Sequence, residues 1–145
     1  MPKIHDVGAG VRMYNVSHAV GDGMPNSKDD VLLVQWMLKV HFNRADKKAM
    51  LGQVWKMETL TGTCSQELIE IIKIYQYDAN LNIRGARLKL DGKIYPIQVC
   101  PGLNQSPLAL LNLSVAGHSK FYKAPAKDPS LYSEARTMFE RCGTV

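Results

Sequence analysis

The run Val31-Leu32-Leu33-Val34-Gln35-Trp36-Met37-Leu38-Lys39-Val40 constrains this chain more than any other stretch. Val31, Val34, Leu38 and Phe42 recur at near-helical spacing and define a buried stripe. Leu32, Leu33, Trp36 and Met37 make the other faces apolar as well, and a helix apolar on all sides belongs at the centre of a fold. Its start is marked by Asn26-Ser27-Lys28-Asp29-Asp30, where Ser27 is placed to cap and Asp30 to act as its capping-box partner. The two carboxylates also sit at the positive end of the helix dipole. The pattern predicts a helix over 27–41.

Around that helix the other segments fall into place. Ser65 is a second capping residue, followed by Leu68, Ile71, Ile72 and Tyr75 at i, i+3, i+4 and i+7, which predicts a helix over 65–79. Ser106-Pro107 opens a third helix that carries Leu108, Leu111 and Val115 and stops by Gly117. Asp128-Pro129 opens a fourth, with Leu131, Ala135, Met138, Phe139 and Cys142 on one stripe and Gly143 at its end. Between the second and third helices, Asp91-Gly92 lies among alternating apolar residues and predicts a β-hairpin, with Pro96 keeping its strand short. Residues 43–60 read as a loop with a short helical turn. The alternation at 11–16 gives one short strand.

The resulting expectation is a mainly α fold. It comprises an irregular or strand-like lead (1–19), a three-helix bundle with a short β-hairpin (20–117), and a connector with a docked C-terminal helix (118–145). At 145 residues and 46% hydrophobic composition the chain is large enough to fold without staples.

Several chemistries are excluded by spacing. The cysteines, Cys64, Cys100 and Cys142, form no CxxC pair, and no Cys/His set has zinc-ligand spacing. His5, His18, His41 and His118 lie far apart, and His41 at a helix end reads as structural. Asp78, Asn80 and Asn82 begin a calcium-loop spacing, but Ile83 and Lys89 stand where glycine and glutamate are required. The glycines at 8, 10, 21 and 23 complete no phosphate-binding motif. Cys64, just ahead of a helix, is the one candidate nucleophile, since a helix dipole lowers a thiol pKa. It has no identifiable base or orienting partner, and reads instead as a small apolar plug under the second helix. No metal, cofactor or catalytic residue is assigned.

A net charge of +5 favours anionic partners. The cations are scattered, without the basic stripe and interleaved aromatics of a nucleic-acid binder. No apolar run approaches the ~20 residues of a membrane helix, so membrane insertion is not expected. The N-terminus shows no signal peptide, which places the chain in the cytoplasm unless a signal-independent route exports it. Aromatics and cations gather near the end of the second helix and the Asp91-Gly92 turn. Tyr77, Arg84, Arg87 and Tyr95 form the candidate ligand surface, because tyrosine beside arginine stacks on sugars or peptides and hydrogen-bonds their polar groups.

Three segments in this order resemble peptidoglycan-binding-like domains. They are Val20-Gly21-Asp22-Gly23-Met24-Pro25-Asn26-Ser27 leading into Val34-Gln35, Thr61-Gly62-Thr63-Cys64-Ser65 leading into Tyr75-Gln76, and Leu90-Asp91-Gly92-Lys93-Ile94-Tyr95-Pro96. The similarity spans about residues 20–115, and its opening is similar to stand-alone proteins of Gram-negative bacteria associated with secretion machinery. It implies that Gln35 and Gln76 set buried amides against loop backbone. It also implies a non-catalytic module for peptidoglycan or another anionic envelope polymer. The chain departs from the family pattern in its long linker after the first helix, in lacking a Gly-x-x-Thr turn after Asp91-Gly92, and in its fourth helix. An alternative use of the same fold is a protein–protein adaptor or immunity-like partner, with Leu131, Met138 and Phe139 at the interface.

Overall fold

The computed structural model describes residues 3–6, 12–42, 60–116 and 143–144. Within them the protein is mainly helical. Strands β1 (Lys3–Asp6) and β2 (Arg12–Asn15) pair antiparallel, and β5 (Gly143–Thr144) joins β1 in parallel, giving the order β2-β1-β5. A second, two-stranded antiparallel sheet joins β3 (Val20–Gly21) to β4 (Lys93–Ile94). The helices are α1 (Lys28–Phe42), α2 (Gln66–Asn82) and α3 (Pro107–Ala116), with two 3₁₀ turns at Ile97–Val99 and Leu103–Gln105 ahead of α3.

Helix α1 is the centre of the molecule, as its all-round apolar sequence requires. Every residue from Val31 to Leu38 is buried, Trp36 included, and α1 packs against both α2 and α3. Val34, Leu38, Ile72 and Tyr75 lie in one hydrophobic core. Met13, Tyr14 and Val16 belong to that same core, so the stretch from Met13 to Val16 is packed into the helical body. The helix starts follow the capping signals. Ser65 accepts a hydrogen bond from the Leu68 amide at 3.2 Å, and Ser106 accepts one from Ala109 at 3.1 Å. Helix α2 runs one turn beyond the expected end at 79–80. There Asn82 donates back to the Asp78 carbonyl and carboxylate, while the Ile83 amide closes on Ala79.

Two local expectations are corrected. Asp30 does not complete a capping box with Ser27. It is fully buried, and its two carboxylate oxygens each accept one backbone N–H, from Ser17 and His18, at 3.0 Å. Those amides lie in the lead segment against α1, and the carboxylate is the acceptor within their reach.

The second correction concerns the β-hairpin. Asp91-Gly92 does form a tight turn, with Gly92 at φ +70°, but residues 87–90 form no strand. Strand β4 pairs with β3 instead. The groups a hairpin ladder needs are already engaged by α2. Asn80 grips Leu88 through both its backbone N–H (2.8 Å) and its carbonyl (2.9 Å). Gln76 accepts from the Gly92 amide at 3.0 Å and donates to the Lys93 carbonyl at 2.9 Å. An isolated two-stranded hairpin is marginal in water, whereas each buried hydrogen bond contributes about 1 kcal/mol and avoids a desolvation penalty of comparable size. The helix side chains therefore win.

Gln35 uses the same device at the other loop. Its Oε1 accepts from the Gly62 amide at 2.9 Å and its Nε2 donates to Thr61 Oγ1 at 3.1 Å. Asn112 grips Tyr14 through both backbone groups, at 2.8 and 2.9 Å, and Asn26 grips Gly21 in the same manner. At the β3–β4 junction no side chain fits on Gly21, where a Cβ would collide with the Gly92 carbonyl oxygen.

Of the expected loop over 43–60 only Leu60 is described, and it is buried in the core; residues 43–59 and the fourth helix with Leu131, Met138 and Phe139 lie outside the described residues. Among the described residues, no helix is long and apolar enough to cross a membrane.

Truncating Gln76 strips two buried backbone groups of their partners. The Gln76→Ala protein is expected to lose roughly 2–4 kcal/mol of stability. Urea unfolding would show this as a lower midpoint at unchanged slope. A loss below about 0.5 kcal/mol, the size of an ordinary surface substitution, would contradict the clamp.

Candidate functional site

The segment 86–107 crosses the surface between α2 and α3 with little regular structure, and α2 fixes its path. Leu88 is buried and held at both backbone groups by Asn80. Its neighbours Arg87 and Lys89 are exposed, as alternation along an extended stretch demands. The Arg87 amide bonds to the Asn104 carbonyl at 2.9 Å, and Asn104 Nδ2 bonds to the Gly85 carbonyl at 3.2 Å, which ties the two sides of the segment together. Beyond the Asp91-Gly92 turn, Ile94 is buried in β4 and Tyr95 follows half-buried. The Ile97 amide is anchored on Asn15 Oδ1 at 2.9 Å.

These constraints shape a cleft of about 320 Å³ lined by Arg87, Lys89, Asp91, Tyr95 and Gln105, with Val99, Cys100, Pro101 and Pro107 as its less polar wall. Its volume lies at the lower end of small-ligand sites. Two of the four candidate ligand residues, Arg87 and Tyr95, meet here. Tyr77, 52% exposed on α2, and Arg84, exposed just after it, do not line this cleft. Lys89 and Gln105 are polar lining residues that the sequence does not mark as ligand residues, and Asp91 is marked there only as a turn residue. Lys89 had a signal, since it stands on the same side of Leu88 as Arg87.

The electrostatics are uneven. Asp91 Oδ1 accepts from Gln76 Nε2 at 3.0 Å and from the Lys93 amide at 3.1 Å. Among the described residues, the side-chain polar groups of Arg87, Lys89 and Tyr95 have no hydrogen-bond or ion-pair partner. Two cations, a phenol and one acid thus open on a common volume.

Neither described thiol is activated. Burial pushes the Cys64 thiol up; a backbone hydrogen bond with Gly21 offsets part of this and the nearby Asp22 charge adds to it. The expected lowering by the α2 dipole does not prevail, and Cys64 packs against the core as the plug expected of it. Cys100, in the cleft wall, is likewise pushed up by burial, partly offset by a hydrogen bond with Ser106.

Sequence spacing gave no hint of a polar cluster in the interior. His41 Nε2 lies 3.0 Å from Asp78 Oδ2, and its Nδ1 is hydrogen-bonded to Ser114 Oγ. The neutral tautomer that fits has Nε2–H donating to the carboxylate and Nδ1 accepting the serine proton. Imidazole and carboxylate are buried, and the ring stands edge-on to Phe42 and Tyr75 at centroid distances of 4.8 and 5.1 Å. The order Ser-His-Asp has the polarity of a nucleophilic triad. None of the three lines the cleft, and each comes from a different helix, so the cluster ties α1, α2 and α3 together. No group of three or more metal-ligating side chains occurs among the described residues.

Searches of protein-family models, curated proteins and solved structures find no match to this chain.

Two titrations follow from burial. Peptide-resolved alkylation of Cys64 and Cys100 is expected to reach half its maximal rate at a higher pH than free cysteine does; a lower midpoint for Cys64 would revive it as a nucleophile. Tyr75 is pushed well above its ordinary range by burial first and by the Asp78 charge second. Its hydroxyl donates to the Pro107 carbonyl at 3.3 Å. Unfolded tyrosine ionises near pH 10 while the folded one stays protonated, so the native state binds more protons there and stability falls as pH rises above about 10. Urea midpoints against pH would show that fall reduced in Tyr75→Phe.

Proposed function

We propose that the protein is a non-catalytic binding module whose cleft takes an anionic glycan-peptide of the peptidoglycan type, in a bacterial envelope or secretion setting. One observation carries this reading: Arg87, Lys89 and Tyr95 converge on a single cleft with their polar ends unengaged by the described protein. Leaving such groups unpaired costs little while water reaches them, and an anionic ligand gains charge-assisted hydrogen bonds from both cations. Tyr95 adds a flat face and a hydroxyl, which suits sugar and peptide groups. The net charge of +5 concentrates such polymers near the surface.

Recognition of this kind needs a preformed rim. The rim is fixed by Asn80 at Leu88, Gln76 at Gly92 and Asn104 at Arg87, and the ordering cost of the backbone is met on folding. The likeness of the loop segments to peptidoglycan-binding-like domains supports the same ligand class.

Retention on purified sacculi tests the proposal. The unmodified chain should be retained at low salt and released progressively as salt screens the charges. Arg87→Gln and Lys89→Gln should each weaken retention roughly tenfold, the scale of one charged hydrogen bond. Glu70→Gln, on the exposed face of α2, should leave it unchanged. No retention at low salt, or equal retention by all variants, would remove the proposal.

A further inference from the structure

We infer that the cleft reads a zwitterion: a small peptide end or amino-acid-like head group carrying both a carboxylate and an ammonium. The inference rests on the cleft being the binding site proposed above and goes beyond it in naming the chemistry at each end. A cleft for a purely anionic group would gain from cations alone. This one places an acid, Asp91, on the same lining as Arg87 and Lys89. Among the described residues Asp91 makes no ion pair with either cation, so its charge is not consumed by them.

The two oxygens of Asp91 differ. Oδ1 is spoken for by Gln76 Nε2 and the Lys93 amide. Oδ2 has no hydrogen-bond partner among the described residues, although an ionised carboxylate accepts on both oxygens. The carboxylate is half-buried and its orientation is fixed through Gln76, which is fully buried. It is therefore a preset acceptor within the cleft, and an ammonium satisfies it with three donors on a compact charge. The guanidinium of Arg87 and the ammonium of Lys89 supply the complementary donors for a carboxylate, with Arg87 able to bind it through two parallel bonds. The less polar wall of Val99 and Pro101 accommodates a short aliphatic part. A volume near 320 Å³ accepts a head group of dipeptide size and leaves a longer glycan-peptide to extend outward.

Calorimetric titration of the full chain with three probes separates the two ends: alanyl-alanine, its N-acetyl derivative, and its C-terminal amide. The free dipeptide should bind at least about tenfold more tightly than either blocked form, because each block removes one charge-assisted contact. Asp91→Asn keeps an acceptor for Gln76 and Lys93 but loses the charge. It should bind the free dipeptide no better than the N-acetyl form. Arg87→Gln should lose the preference over the amide. Equal binding of free and N-acetylated dipeptide, or binding of neither, overturns the inference. If Asp91→Asn fails to fold, the blocked-probe series on the unmodified chain still decides. Failure here with Arg87-dependent retention on sacculi would leave the wall-binding reading standing. Dipeptide selectivity without retention would overturn that reading and support this one.

Discussion

Buried carboxamides are the interaction on which this structure depends. The protein surrounds a helix that is apolar on every face, and it does so with two neighbouring helices and with irregular backbone such as 83–92 and 95–106. Irregular backbone laid against a core carries amides and carbonyls that find no partner in a ladder or a helix. The chain meets this demand with side chains that imitate a neighbouring strand. The buried Gln35, Gln76 and Asn112 do so for Gly62, for Gly92 and Lys93, and for Tyr14, and Asn80, exposed at the end of α2, does the same for the buried Leu88. Gln76, fully buried, binds loop backbone on two groups at once. Without these amides the core would gain apolar burial only by leaving peptide groups dry and unpaired, at about 1–3 kcal/mol each.

The cleft is a by-product of the same solution. Because α2 holds the chain at Leu88 and again at Gly92, the path of the stretch between them is fixed, with Arg87 and Lys89 exposed on either side of Leu88 and Asp91 half-buried beside Gly92. Arg87, Lys89 and Asp91 line the cleft because of where Asn80 and Gln76 stand on the helix beneath them. Binding groups are thus carried on irregular backbone, yet their positions derive from one rigid helix. That combination gives a loop the precision usually associated with helices and strands.

Much of the architecture is legible in the sequence. Helical periodicity and the Ser65 and Ser106 capping signals locate the helices, because both are local and depend on a few neighbouring residues. The roles of Gln35 and Gln76 are legible only as what the resemblance of their segments to a known family implies, since no local pattern marks them. Where reading by pattern fails, a distant partner decides. Asp91-Gly92 is a turn in either reading, but no local feature reveals that Asn80 has taken the backbone of Leu88, so alternation at 87–94 suggests a hairpin that does not form. Asp30 has the spacing of a helix cap and instead serves Ser17 and His18. The candidate site is half legible: Arg87 and Tyr95 meet in the cleft, whereas Tyr77 points to solvent from α2, because helical periodicity places it away from Tyr75 and Gln76. Lys89 is marked only by its alternation with Arg87, and Asp91 only as a turn residue, because their place in the cleft comes from a fold contact and not from a motif. The link from His41 to Asp78 and Ser114 joins three helices and leaves no trace in spacing at all.

The pairing of Tyr14 with Asn112, 98 positions apart, bears on how the molecule is assembled. The same is true of β3 with β4 and of β1 with β5, which bring opposite regions of the chain side by side. A bundle of three helices with short connections folds quickly because its contacts are near in sequence. This chain has helical content wired with long-range closures, each carrying a loss of loop entropy before it yields any contact energy. Its speed of folding is accordingly set by topology more than by helix content, and helix α1 must wait, apolar on all sides, until both flanks have arrived to cover it.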